Sequence, residues 1–220
     1  MKIGIIVAME KELQCLTDTF AQDPRYIIRQ CGIGKVNAAI GTCELINEHH
    51  PDAIISTGCA GGVGNNLNIR DIVVSTELCY HDVWCGMAEA EGSKLGQVQG
   101  MPPRFKADPK LLDAASQLKI TNCKLETGLI VTGDWFVDSK QKMADIVSHF
   151  PDARAVDMES CAIAQTCYKY GVPFISFRVI SDLPLKDTNA SQYHDFWAQV
   201  AEQSFHTTRA YVEKIINHNL

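Results

Sequence analysis

The chain has 220 residues, 46% of them hydrophobic, which is enough for one buried α/β core. Twenty Lys and Arg against 26 Asp and Glu give a net charge of −6, and the scattered cations argue against a nucleic-acid groove or an anionic membrane surface. No apolar run approaches the roughly 20 residues of a membrane span, and nine cysteines without a Cys-x-x-Cys pair suit reduced, packed thiols in a cytoplasmic protein.

Residues 2–9 read as a buried first strand rather than a signal segment, because the apolar stretch is brief and Glu10 and Glu12 follow it. From Glu10 to about Ala21 the pattern is helical, with Leu13, Leu16 and Phe20 on one side. A short strand, 26–31, leads through Gly32-Ile33-Gly34-Lys35 into a helix from about Val36 to His49. Strands are predicted at 52–57 and 71–78, joined by a Gly-rich link over 58–64. The stretch Tyr80–Lys106, rich in Gly, Pro and charge, reads as a long irregular loop. Helix (109–118), strand (124–131), helix (139–150), strand (153–158), helix (159–170) and strand (173–181) follow in turn. A polar stretch, 183–192, precedes one final long helix over 193–217. This alternation predicts a mostly parallel sheet with helices on both faces, in a single domain spanning 1–220. Loops beyond roughly 12–15 residues are usually functional in a compact domain. The segments 80–106 and 183–192 are therefore candidates for a substrate lid or a subunit contact, with plain surface decoration the competing reading for the middle of the first.

Three carboxylates stand where apolar runs stop: Glu12, Glu159 and Asp182. The carboxyl ends of parallel strands open on the crevice where ligands bind. Such a trio suggests acid/base chemistry on a polyhydroxylated or basic small molecule. On the residues alone each has a second reading: Glu12 as a first-turn acid favoured by the helix dipole, Glu159 as a helix starter, Asp182 as a cap before Pro184. Met158 reads equally well as core. Arg178, inside an apolar strand, requires an acidic partner. The turn 32–35 lacks both the phosphate-loop frame and the third glycine of a dinucleotide fingerprint, and reads as a tight strand-to-helix turn. Gly58–Gly62 would let backbone approach a ligand closely. His81, His149 and His194 are isolated, so no metal is expected.

The segments Gly4–Glu12, Gly32–Val36, Thr57–Gly62, Thr132–Phe136, Val156–Glu159 and Arg178–Asp182 occur in this order. Together they resemble the 5′-methylthioadenosine/S-adenosylhomocysteine nucleosidases, within the purine nucleoside phosphorylase-like superfamily, over residues 1 to about 215. The resemblance implies a three-layer α/β/α sandwich around a twisted, partly closed mixed sheet, assembled as a homodimer. It also implies hydrolysis of the bond between adenine and a 5′-thio-substituted ribose, without metal or organic cofactor, with 5′-deoxyadenosine a further candidate substrate. Asp182 would be the general acid to adenine N7, oriented by Ser181; Glu12 would activate water; Glu159 would bind the ribose hydroxyls. Phe136 would stack on the purine and the Val137 backbone would bond its edge, with Tyr193 closing over ribose or base. Met9 and Met158 would line the sugar and 5′ side, and Arg178 would hold Glu159 or Glu12. Cys59, where serine is frequent, would contact substrate with Ala60 and Gly61. The loop Met101–Phe105 would cover the 5′ group, from a partner subunit.

The competing chemistries are phosphorolysis on the same fold and hydrolysis of related nucleosides of the aminofutalosine or AMP type. After the first strand Glu10 and Glu12 face only Lys11, an arrangement that would repel a phosphate dianion and suits water. Two departures from the family pattern stand out: a shorter segment between Phe20 and Cys31, predicting a reduced hairpin at the sheet edge, and the stretch Trp84–Glu89.

Overall fold

Continuous Ile/Val runs form the strands and bury both of their faces, as expected for a sheet covered on two sides. A computed structural model describes residues 1–20, 23–64, 66–86, 94–121, 123–186, 190–199 and 201–217. In chain order the elements are β1 (Ile3–Val7), α1 (Glu10–Phe20), β2 (Tyr26–Gln30), α2 (Lys35–His49), β3 (Ala53–Gly62), β4 (Ile72–Tyr80) and β5 (Phe105–Lys106). They continue with α3 (Pro109–Ser116), β6 (Leu125–Thr132), α4 (Lys140–His149), β7 (Ala153–Asp157), α5 (Ser160–Tyr170), β8 (Phe174–Asp182), α6 (Ala190–Gln199) and α7 (Ala201–Asn217).

Alternation along the strands sorts side chains into two large cores, with a smaller third around Val131, Met143 and Phe150. Ile3, Ile5 and Val7 of β1 and Ile175, Phe177 and Val179 of β8 pack with Leu16, Leu111, Phe196, Phe205 and Tyr211 from α1, α3, α6 and α7. Ile6, Phe174 and Ile180 point the other way, toward Leu45, Ile46, Cys161 and Cys167 of α2 and α5. Local signals set the helix ends: the Asp108 carboxylate accepts from Lys110 N and Leu111 N ahead of α3, and Gly171, at φ 68, terminates α5.

The sheet is mixed and partly closed. Parallel pairs β3–β8, β4–β6 and β6–β7 and antiparallel pairs β8–β4 and β7–β3 return the chain of strands to its start, forming a barrel. Strands β1 and β2 continue from β3 in parallel as an open wing, and β5 adds a two-residue edge to β4.

Three expectations need correction. The Gly-rich stretch after residue 57 is the second half of β3, not a link: Gly61 and Gly62 pair with Val156 and Ala155, and Cys59 with Val179. Glycine is a weak strand former in isolation, but here two neighbouring strands supply its ladder. The predicted final helix starts three residues early, at Ala190, inside the stretch read as a polar loop; it is described as α6 and α7, residue 200 lying outside the described residues, and buries Phe196, Phe205, Tyr211, Val212 and Ile215. The predicted loop 80–106 begins inside β4 and ends in β5. Residues 87–93 of that loop and 187–189 of the stretch 183–192 lie outside the described residues, as does the end of Trp84–Glu89.

Candidate active site

The strand ends at β1, β3, β7 and β8 meet the loop after β6 around one cleft of about 100 Å³. Glu12, Glu159 and Asp182 all line it.

Glu12 lies in the first turn of α1 and is 1% exposed. Its Oε2 accepts from Ala8 N at 2.9 Å and Met9 N at 3.0 Å, and its Oε1 accepts from Cys59 N at 2.9 Å on β3. The helix-start reading therefore describes two of its three bonds, and the reach across to β3 the third. Burial pushes this carboxyl above the ordinary range, opposed by the charge of Arg178 and by the three N–H donors.

Asp182 ends β8. The Ser181 hydroxyl donates to its Oδ1 at 2.7 Å, and its Oδ2 lies so near Gly61 that a Cβ there would stand 3.4 Å away. Burial raises its pKa, with the Ser181 hydroxyl opposing. Val179, Ile180 and Leu183, apolar and buried, are its chain neighbours.

Glu159 precedes α5 but makes no side-chain cap there. Its Oε1 accepts from Gly34 N at 3.0 Å, in a turn whose glycines adopt φ +91 at Gly32 and +93 at Gly34. Burial pushes its pKa up to about 7; Arg178 opposes, and the Asp157 and Glu12 charges add to the rise.

Arg178 is 1% exposed and stands behind the cleft rather than lining it. Its ion-pair partner is Asp157, Nε to Oδ2 at 3.0 Å, where the expectation named Glu159 or Glu12. Asp157 also caps α5, accepting from Glu159 N at 3.3 Å and Ser160 N at 3.2 Å. Strand periodicity could have flagged this residue, an acid at a strand end two positions before Glu159.

The apolar wall comes from Phe136 and Val137 in the loop after β6, with Tyr193 of α6. Phe136 and Tyr193 meet edge to face at 5.4 Å, and the Tyr193 hydroxyl donates to Met9 Sδ at 3.3 Å. Cys59, Ala60, Gly61, Met158 and Ser181 complete the predicted lining. Ala8, Ile33, Trp135, Val156 and Asp157 also line the cleft and were not anticipated. Trp135 and Ile33 are rim residues, 55% and 50% exposed, whose only signal was adjacency to Phe136 and to the glycine turn. The segment Met101–Phe105 lies away from the cleft of its own chain: Phe105 packs against Tyr168 at 5.6 Å. Among the described residues that line the cleft none is Lys, Arg or His. Among the described residues no three His, Cys, Asp or Glu side chains gather as a metal set.

Barrel, cleft and carboxylates together define a class, the Phosphorylase superfamily, whose family profile matches residues 2–217. Within it, a relative from Exiguobacterium sp. named 5′-methylthioadenosine/S-adenosylhomocysteine nucleosidase is 41% identical over 87% of this chain and 89% of its own length. A Geobacillus sp. relative of the same name is 39% identical over 93% and 94%. The nucleosidase of S. pneumoniae, solved with a transition-state inhibitor, MT-ImmA, superposes with a TM-score of 0.87 at 31% identity, covering 98% of this chain and 100% of that one. The Neisseria meningitidis nucleosidase, in complex with methylthio-immucillin-A, gives 0.85 at 35% identity over 98% of both chains. The chain belongs to the 5′-methylthioadenosine/S-adenosylhomocysteine nucleosidase family.

Proposed function

We propose that this chain hydrolyses the N-glycosidic bond of 5′-methylthioadenosine and S-adenosylhomocysteine, releasing adenine and the 5′-thio-substituted ribose. The observation that carries the reading is the placing of Glu12 and Asp182 on one cleft, one bonded to Cys59 and the other beside Gly61. Two residues of strand separate these moorings, a spacing of roughly 7 Å.

Breaking the C1′–N9 bond leaves positive charge on the ribosyl group and an electron pair on adenine. Asp182, whose buried site favours the protonated carboxyl, gives its proton to N7, help worth on the order of 10²–10⁴ in rate. Glu12, whose three N–H donors favour the anion, takes a proton from the water whose oxygen bonds to C1′. Glu159 accepts hydrogen bonds from the ribose hydroxyls, and its charge stabilises the oxocarbenium-like transition state. Phe136 supplies a face for the purine, with Val137 at its edge and Tyr193 closing the side.

Water, not phosphate, suits this cleft as the nucleophile. A phosphate dianion needs cations or free N–H groups, yet the N–H groups of Ala8, Met9 and Cys59 are bonded to Glu12 and no lining residue is cationic. Chromatography of a methylthioadenosine digest should show adenine released at the same rate with and without phosphate. A ribose 1-phosphate product would make phosphate the nucleophile instead.

Ile33, Val36 and Ile40 expose an apolar stripe beside the cleft, at 50%, 69% and 52%. That stripe supports a homodimer in which the partner's loop over 101–105 covers the 5′ group; a solution mass of 24.3 kDa by light scattering would end that part. Among the described residues no helix is long and apolar enough to cross a membrane. We assign the reaction to methionine salvage in the cytoplasm.

A further inference from the structure

Four ionisable side chains lie buried together at the ribose end of the cleft, Glu12, Asp157 and Glu159 in its lining and Arg178 behind them, each 6% exposed or less. One cation cannot pair with three carboxylates, so the one that holds it sets the behaviour of the other two. The hydrogen bonds identify that one. Asp157 takes Arg178 Nε at 3.0 Å, the Thr132 hydroxyl at 2.6 Å, the Ser160 hydroxyl and the N–H groups of Glu159 and Ser160. Of its other nitrogens, Nη2 reaches the hydroxyls of Ser56 and Ser160, at 2.8 and 2.9 Å, and Nη1 the Thr57 carbonyl at 3.2 Å. Among the described residues Glu159 receives only the Gly34 N–H from this neighbourhood, and Glu12 receives backbone N–H groups alone.

We propose that Asp157 is a positioning residue of the reaction: by holding Arg178 and the start of α5, it keeps the cation from hydrogen-bonding Glu159, which is left to bond the ribose hydroxyls. This rests on the hydrolase reading above. The charged and titratable groups that face Glu159 are Arg178 from β8, Asp157 from β7, Glu12 from α1 and the Cys31 thiol after β2. Asp157 makes Glu159 hold its proton more tightly; Arg178 acts oppositely and more strongly. Exchanging Asp157 for Asn removes the first influence and leaves the second, so Glu159 ionises at lower pH.

The test is kcat/KM for methylthioadenosine hydrolysis from about pH 5 to pH 9, with wild-type adenine release measured first. No adenine from the wild type defeats the hydrolase reading; adenine with an unmoved acidic limb in the variants defeats only this proposal. For Asp157→Asn the expected result is a plateau lowered about tenfold and an acidic limb displaced about one pH unit downward. Asp157→Glu, which keeps the charge, should return the limb to its wild-type position. A limb that stays in place while the plateau falls makes Asp157 a folding residue and overturns the proposal. Should Asp157→Asn fail to fold, with its Arg178 unpaired, the double variant Asp157→Asn/Arg178→Met removes both buried charges. Its acidic limb should move to higher pH, because the stronger of the two influences is gone. An unmoved limb there would overturn the proposal equally.

Discussion

Glu12 and Asp182 carry the same functional group in two surroundings. Asp182 meets one hydroxyl among apolar neighbours, whereas Glu12 meets three N–H donors and a nearby guanidinium. Burial raises both pKa values, but the donor set of Glu12 opposes that rise and favours the anion. Asp182→Asn keeps shape and polarity and removes the transferable proton. Turnover should fall by about 10²–10⁴, while affinity for a nucleoside analogue and the melting temperature hold; near-normal kcat would remove Asp182 from the mechanism. Glu12→Gln should also stop turnover, and at a cost in stability. Both carboxylate oxygens accept N–H groups now, so the amide nitrogen must face a donor, at about 1–3 kcal/mol. Thermal melts and calorimetric nucleoside binding separate the outcomes. Stability lost with turnover retained would return Glu12 to the role of a helix-start acid.

Among the elements β3 organises the site, since Glu12 bonds its Cys59 amide and the Ser181 hydroxyl reaches its Ala60 carbonyl at 3.4 Å. The close approach depends on Gly58. At φ +139 it occupies a region other residues avoid, and a Cβ there would stand 2.4 Å from Glu12 Oε1 and 2.7 Å from Arg178 Nη1. Gly58→Ala should cost about 1–3 kcal/mol in a denaturant melt and lower kcat/KM more than tenfold, because the displaced atoms are those of the acid/base machinery; a variant with wild-type kcat/KM would refute this view of the strand. The same strand marks where the sequence stopped being legible. Runs such as Ile3–Val7 and Ile72–Val74 announce themselves through unbroken apolar character. Residues 58–62 do not, because their strand character comes from pairing with β7 and β8, which composition cannot express. Asp157 as the partner of Arg178 needed the barrel closure that brings β7 and β8 to opposite sides of β3. Most of the cleft wall was readable through ordered motifs. Trp135 and Ile33 were not, since a wall position asks for bulk and no particular chemistry.

For the molecule as a whole, gathering buried carboxyls makes stability depend on pH in an unusual direction. In the unfolded chain Glu12, Glu159 and Asp182 lose their protons near pH 4 to 4.5, about their ordinary values. Folded, all three keep them to higher pH. Between those limits the native state binds more protons, so the stability these groups contribute is complete below the unfolded values and is lost as pH rises through the folded ones. For Glu159 the window runs from 4.5 to about 7 and corresponds to about 3 kcal/mol. Asp23 and Asp152, held low by hydrogen bonds from Arg25 and Arg104, act the other way, adding stability above the usual carboxylate range and losing it in acid; being surface pairs, they add little. Maximum stability should therefore sit near pH 5, below the pH at which Glu159 is ionised to stabilise the ribosyl cation. In calorimetry the melting temperature of the wild type should fall between about pH 5.5 and pH 8, by roughly 5–10 °C. Glu159→Gln, neutral at every pH, should flatten that fall, melting higher than the wild type at pH 8 and close to it at pH 5.5 while turnover is lost. A wild-type melting temperature that climbs across the interval, or a Gln variant that keeps the wild-type slope, would show that Glu159 is ionised at no cost to the fold and so does not titrate near neutrality.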